Sequence, residues 1–238
     1  MNRAKLVLIP TPLFDEHRLP MDTFEVLKEA SVKLLAEEKI AIVGEDLRPT
    51  RSRWIKWGLD RQIIPHLRFL NENDSGDTEL ELQSLLKSGG TVYLFSDGGM
   101  PSFCDPGTSL VQFCHDHNIK VTATSCDNSV ILALALSAAS DRFYFASFPP
   151  KKEEERKAYL KECLLKKETV VILDTPYRLN RLVQELCTLS GGINRSVFIA
   201  MDLNNPNEEL MNTDLATLKK NSFDFGKREF VLILKAHR

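Results

Sequence analysis

The sequence predicts an α/β protein, and three observations carry that reading. The stretch Thr91–Ser109, TVYLFSDGGMPSFCDPGTS, is a β-branched and aromatic run (Thr91–Phe95) that meets Ser96-Asp97-Gly98-Gly99-Met100-Pro101. It then turns again at Asp105-Pro106-Gly107 and enters a segment of amphipathic helical pattern. Short apolar runs alternate with helical segments along the rest of the chain, the pattern of strand–helix units in an open sheet. The 238 residues suffice for two small domains or one large one. Open α/β sheets bind ligands beyond the carboxyl ends of their strands. The adjacent Gly98 and Gly99 let backbone approach a ligand where a Cβ would clash, although an isolated Asp-Gly-Gly also reads as an ordinary tight turn.

Taken in order, Lys5–Ile9 is the first strand, ending at Pro10-Thr11-Pro12. Asp22 is the expected N-cap of a helix to about Glu38, with Leu27, Ala30, Leu34 and Leu35 on one face. Lys39–Val43 is a strand that delivers Glu45, Asp46 and Arg48 to a loop. Carboxylates there can accept a proton or hold a basic side chain; the competing reading is an N-cap and salt bridge for a helix Pro49–Trp57. Ile63–Leu67 suggests another strand, and Asn71–Asp77 a polar loop whose Asp77 caps a helix with Leu80, Leu82, Leu85 and Leu86 inward, ended by Gly89-Gly90. Thr91–Phe95, a helix from Thr108 to about Asn118 and a strand Ile119–Thr124 follow. Asn128 and Ser129 open a helix Val130–Ala139, apolar on nearly every side and so expected to be buried between layers. The second half reads strand Phe143–Phe148, charged helix Glu153–Lys166, strand Thr169–Asp174, helix Tyr177–Leu189 and strand Ser196–Ala200. A polar loop, a short helix Asp214–Lys220 and a final strand Phe230–Lys235 complete it.

Composition narrows the function classes. With 43% hydrophobic and 27% charged residues the chain is an ordinary globular protein, and no apolar run reaches membrane-spanning length. Met1-Asn2-Arg3 leads straight into the first strand without signal-peptide architecture, which predicts a cytoplasmic protein. Five cysteines without a CxxC pair predict reduced thiols. Cys114-His115-Asp116-His117 invites a metal reading, but neighbouring positions on a helix point in different directions, so no metal is expected. The net charge of −2 lacks the basic excess of a protein that grips naked RNA over its whole surface. A local patch would have to do so: Arg48, Arg51, Arg53, Lys56 and Arg61 interleaved with Trp54 and Trp57, or the lysines of Lys151–Lys167, which Glu153, Glu154, Glu155 and Glu162 balance.

SDGGMPSFCDPG resembles the SDAGTP…SDPG signature of the bacterial small-subunit ribosomal-RNA ribose 2′-O-methyltransferases of the tetrapyrrole-methylase superfamily. In the same order, Gly44-Glu45-Asp46-Leu47-Arg48 with Thr50 resembles AEDTR-x-T, and Leu136-Ser137-Ala138 with Asp141-Arg142-Phe143 resembles LSA…DRF. Thr169–Leu179 resembles TLVFYESPHRL, and Glu229–Ile233 the closing EFVLIV strand. The resemblance implies two αβα domains, 1–124 and 125–238, with an S-adenosyl-L-methionine cleft between them, and a homodimer. It also implies methylation of a ribose 2′-hydroxyl of small-subunit ribosomal RNA. Carried over, Pro10, Thr11, Pro12, Asp97, Gly98, Gly99, Met100, Phe103, Asn128, Ser129, Asp174 and Thr175 would bind the cofactor, and Glu45, Asp46 and Arg48 would position the substrate. The chain departs from the pattern at three places. Leu13-Phe14-Asp15 replaces the end of ATPIGN, Cys126-Asp127 replaces the Gly-Pro of PGPCA, and Ala200-Met201-Asp202-Leu203-Asn204-Asn205 lacks both basic residues of ARELTK. These departures leave open a methyltransferase of a small, tetrapyrrole-like molecule, and a non-catalytic cofactor-binding module. A nucleotide-phosphate site is disfavoured because no GxxxxGK[ST] stretch is present.

Overall fold

Five parallel strands, β1 (Lys5–Ile9), β2 (Ile40–Gly44), β3 (Arg68–Phe69), β4 (Thr91–Phe95) and β5 (Lys120–Ala123), form the first sheet in the order β3-β2-β4-β1-β5. The computed structural model describes residues 4–14, 18–71, 76–125, 127–139, 142–221 and 223–236. It divides into two units, Met1–Asn128 and Ser129–Arg238. In the first, the inner strands are apolar on both faces because helices cover both, as parallel sheets require. Val7, Ile9, Ile40, Ile42, Tyr93 and Phe95 face α1 (Met21–Leu35) and α2 (Leu47–Lys56), where Leu27, Ala30 and Trp54 fill the layer. The alternate residues Leu6, Ala41, Val43, Val92 and Leu94 face α3 (Asp77–Lys87) and α4 (Thr108–Asp116) through Leu82, Leu86, Leu110 and Phe113.

The second unit is also three-layered, around a mixed sheet. Its strands are β6 (Phe143–Ser147), β7 (Thr169–Leu173), β8 (Ser196–Met201), β9 (Glu209–Asp214) and β10 (Phe230–Leu234), in the order β6-β7-β10-β8-β9. Only the β6–β7 pair is parallel. Helix α5 (Ser129–Ser137) covers one face, while α6 (Glu153–Leu165), α7 (Leu179–Leu189) and α8 (Leu215–Lys220) cover the other. Arg195, 2% exposed, precedes β8 and donates to the carbonyl oxygens of Lys235, Cys163, Leu164, Glu168 and Leu234. One guanidinium thus ties the end of α6, the start of β7 and the end of β10 together.

Several expectations are corrected. Asp22 does not cap α1; Pro20 holds that position, and the Asp22 carboxylate accepts from the Ser125 hydroxyl at 2.7 Å. Leu35 and Leu80 are 45% and 64% exposed, because each falls off the apolar arc of its helix. Residues Arg61–His66 form a 3-10 helix in place of a strand, with Pro65 removing an amide donor, and the strand comes two residues later as β3. Gly76 stands at the N-cap of α3, with Asp77 its first residue. Helix α5 buries Val130, Ala133 and Leu134 but leaves Ile131 57% and Leu136 47% exposed, so it covers a sheet on one side only. The polar loop after β8 contains β9, an edge strand whose burial pattern has no inward run. Trp54 and Trp57 are core residues, 0% and 8% exposed, and the Trp54 indole N–H donates to the Asp60 carbonyl at 2.8 Å. Lys157 and Lys166 pair with Glu153 and Glu162 along α6, as a balanced face should. Among the described residues no helix is long and apolar enough to cross a membrane, and no His/Cys/Asp/Glu group could hold a metal. Cys114 packs inward, where burial pushes its thiol up to about 11.

Replacing Arg195 with Met leaves a cluster of buried carbonyls without a donor, and the expected loss is about 3 kcal/mol. Both tryptophans lie in the first unit. Urea unfolding followed by far-ultraviolet circular dichroism should therefore shift to lower denaturant, while a tryptophan-fluorescence transition stays in place. A loss below about 1 kcal/mol would remove Arg195 from this role.

Candidate functional site

The glycine loop begins where β4 ends, and its geometry is fixed by β1. Thr11 N–H donates to the Gly99 carbonyl at 2.8 Å and Gly99 N–H to the Thr11 carbonyl at 3.2 Å, a one-pair antiparallel bridge between two otherwise parallel strands' extensions. Gly99 sits at φ +79°, a conformation that favours glycine, and a Cβ there would approach Leu13 to 3.9 Å. Gly98 faces open space, with nothing within 4 Å of where its Cβ would be. Ser96, 3% exposed, donates its hydroxyl back to the Gly98 and Gly99 carbonyls at 3.4 and 3.3 Å. Met100 is half-buried and Phe103 is 41% exposed. The loop ends at Gly107, φ +114°, where a Cβ would lie 2.5 Å from Leu94 Cδ2; only glycine lets α4 start this close to β4.

A carboxylate group lies beside this loop. The Asp97 N–H donates to Glu45 Oε2 at 3.0 Å, so the residue after β2 clamps the first residue of the glycine turn. Burial, and then the Glu45 carboxylate, push the Asp97 carboxyl up to about 6, against the pull of the Arg53 guanidinium 3.8 Å away. Asp97 Oδ1 and Thr11 Oγ1 are buried and have no hydrogen-bond partner among the described residues. Such atoms, like the Thr50 Oγ1 and Arg53 Nη1 that share this condition, have room for a water or a ligand group as partner. Asp46 occupies the N-cap position of α2 without a side-chain cap bond, and its carboxylate accepts from Asn71 at 3.4 Å. Arg48 stands exposed in the first turn of α2 rather than in a loop. Thr50, the last residue of that motif, is structural: a Cβ on Gly44 would fall 2.3 Å from its Oγ1, so β2 and α2 meet at a glycine.

The structure therefore brings Thr11, Glu45, Asp97, Gly98 and Gly99 together by direct contacts. Pro10 and Pro12 are buried flanks of the bridge. Asn128 ends the first unit and Ser129 opens α5. In the second unit Asp174 is buried at the end of β7, accepts from the Thr175 N–H at 2.8 Å and lies 3.5 Å from Arg178; burial raises its pKa. Thr175 is exposed. Asp15, Cys126 and Asp141, which belong to the quoted motifs, lie outside the described residues. Sequence reasoning missed Ser96 and the Arg53–Asp97 pair. Nothing in the spacing of Arg53 distinguishes it from Arg48, Arg51 and Lys56, yet it lies on α2's flank between the buried and exposed faces.

For S-adenosylmethionine, a sulfonium cation with an ammonium and ribose hydroxyls, these residues fit. They offer an orphaned carboxylate oxygen, an orphaned hydroxyl and an unobstructed glycine backbone.

Residues 5–219 match the family of Tetrapyrrole (Corrin/Porphyrin) Methylases. The chain is 31% identical over 234 residues to the ribosomal RNA small subunit methyltransferase I of Synechocystis sp., covering 96% of this chain and 78% of that protein. It is 28% identical over 207 residues to the protein of the same name from Thermotoga maritima, covering 87% and 86%. It is 27% identical over 241 residues to the one from Escherichia coli O157:H7, covering 100% and 79%. The crystal structure of the methyltransferase CobJ shares the fold, with a TM-score of 0.63 at 14% identity over 98% of this chain and 94% of that one. The chain belongs to the tetrapyrrole (corrin/porphyrin) methylase family and is an S-adenosylmethionine-dependent methyltransferase.

Proposed function

We propose that the enzyme transfers a methyl group to a ribose 2′-hydroxyl of small-subunit ribosomal RNA, with the cofactor held at the glycine loop. The observation that carries this reading is the clamp of Glu45 on the Asp97 N–H beside Gly98, in a chain whose relatives are named small-subunit ribosomal RNA methyltransferases. The cofactor would supply a methyl carbon made electrophilic by the sulfonium, with the neutral thioether as leaving group, so the protein's task is to place the ribose oxygen in line with it while the hydroxyl proton passes to a carboxylate of the Glu45–Asp46 pair or to water. Asp97 Oδ1 and Thr11 Oγ1 are assigned to polar groups of the cofactor. The Thr11 and Gly99 backbone groups are spent on each other, which leaves Gly98 as the backbone contact, with Met100 and Phe103 packing on apolar surface. Glu45 acts through Asp97 as a positioning residue, whereas the exposed Asp46 and Arg48 are assigned to the substrate. The roles of Pro10, Pro12, Asn128, Ser129, Asp174 and Thr175 in cofactor binding and a homodimeric state are carried by the family resemblance, and a cytoplasmic location goes with a ribosomal RNA substrate.

The test is transfer of labelled methyl from S-adenosylmethionine to purified small ribosomal subunits from cells lacking this gene. Wild type should label the RNA at a ribose. Gly99→Trp, which forces a bulky side chain into a left-handed position against Leu13, should lose both transfer and calorimetric cofactor binding. Labelling of a base, or of no RNA despite saturable cofactor binding, would sink the ribose assignment.

Asp97 is charged only above about pH 6, so affinity for the cationic cofactor should fall as pH drops through that value. Asp97→Asn should bind more weakly at pH 8 and show no such dependence. A wild-type affinity flat from pH 5 to 8 would contradict the role. Glu45→Gln keeps an acceptor for the Asp97 N–H and should retain cofactor affinity within about threefold. Glu45→Ala should lose about tenfold, the weight of one hydrogen bond to a charged group. Equal losses in the two would show that charge, not the clamp, is what Glu45 supplies.

A further inference from the structure

Helix α2 carries three cations that the fold does not use, and the 3-10 helix after it carries a fourth. On its inner side Thr50 and Trp54 are fully buried, and Trp57 just beyond it is nearly so. On its outer side Arg48, Arg51, Ser52 and Lys56 are exposed, and Arg61 is exposed at the start of the 3-10 helix that follows. At 100° per residue these α2 positions lie within one arc of less than half the circumference. Among the described residues none of Arg48, Arg51, Lys56 and Arg61 has a carboxylate within 4 Å. By contrast Lys152, Lys157 and Lys166, on and around α6, are paired at 3.1, 2.6 and 3.0 Å. No acidic residue stands in the first turn of α2. Arg48 and Arg51 sit near the positive end of the helix macrodipole and three residues apart, two arrangements that each disfavour the helix. A protein of net charge −2 keeps them there at the expense of its own stability.

We propose that this face is a track for the phosphates of the RNA strand flanking the methylated nucleotide. The proposal rests on the RNA reading of the preceding subsection. Helix α2 starts at the Glu45–Asp46 end of the candidate site and is about 15 Å long. Its Arg53 lies 3.8 Å from Asp97 and its Trp54 packs on Phe95, so its outer row of cations lies beside the glycine loop, where a strand flanking the target nucleotide would pass. The burial of both tryptophans excludes base stacking on this helix, so recognition here is by charge alone and independent of sequence. The lysines of the α6 region do not serve this purpose, since glutamates already pair with several of them.

The test measures binding of purified small-subunit RNA to the full-length protein across a salt series, with Arg51→Ala/Lys56→Ala/Arg61→Ala against wild type. Calorimetric binding of S-adenosylmethionine reports that the variant is folded. Each phosphate contact contributes about 0.7 to 0.9 to the slope of log affinity against log salt. The triple variant should therefore be shallower by about 2 and bind at least 10-fold more weakly at low salt, with cofactor affinity unchanged. A control, Lys151→Ala/Lys152→Ala/Lys161→Ala, should keep the wild-type slope. An unchanged slope in the first variant, or the loss appearing in the control instead, overturns the α2 track while leaving the RNA reading intact. A wild-type protein that binds cofactor but no RNA overturns both.

Discussion

The first unit turns on two hydrogen bonds between Thr11 and Gly99. β1 and β4 are parallel neighbours, yet past their ends the chain pairs antiparallel for a single residue. That reversal sets Gly99 in the left-handed region, turns Gly98 outward and places the Asp97 amide where Glu45 reaches it. Because the bridge consumes both residues' backbone groups, the polar contacts this segment still offers a ligand centre on the Thr11 hydroxyl, Asp97 Oδ1 and the exposed Gly98. The bridge also explains why Pro10 and Pro12 can flank Thr11. Neither needs an amide donor, and their fixed φ values stiffen the segment that carries the one amide that matters.

Asp97 is the electrostatic counterpart of this geometry. Its carboxyl is half-buried near Glu45, with Arg53 too far for a hydrogen bond and near enough to temper the repulsion. Since its folded pKa is raised, the native state is favoured while Asp97 is protonated, and that advantage disappears as pH rises from about 4 through about 6. Near neutrality the protein therefore holds a poorly solvated negative charge, the condition under which a cationic ligand gains most from binding.

Much of this was legible in the sequence, and the failures have physical causes. Strands β1 and β4 came out at their exact residues because both lie inside the sheet and read as unbroken apolar runs. The edges were harder. β3 is two residues long, and β9 has no buried face to mark it, so hydrophobic pattern could not find either. The mixed direction of the second sheet was equally hidden, since strand direction follows from connections and not from composition. Within the site, the glycines and the Glu45-Asp46 pair were visible as motifs. Their division of labour was not: whether Glu45 meets a ligand or an amide of its own chain is a matter of distance. The interleaved tryptophans and arginines of α2 read as an aromatic–basic surface, whereas the helix sorts them onto opposite sides.

One topological feature bears on how the protein is made. β10, near the end of the chain, lies in the middle of the second sheet, hydrogen-bonded to β7 on one side and β8 on the other. During synthesis the first sheet can close as soon as β5 emerges, since all its strands precede residue 124. The second unit cannot: until β10 has been made, β7 and β8 each present an unsatisfied edge to the cell. The Arg195 guanidinium shares that wait, because two of its five carbonyl acceptors belong to Leu234 and Lys235. The newborn enzyme thus passes through an interval in which its glycine-loop unit is finished and its partner unit is an open template, a window in which premature termination or crowding of nascent chains is most costly.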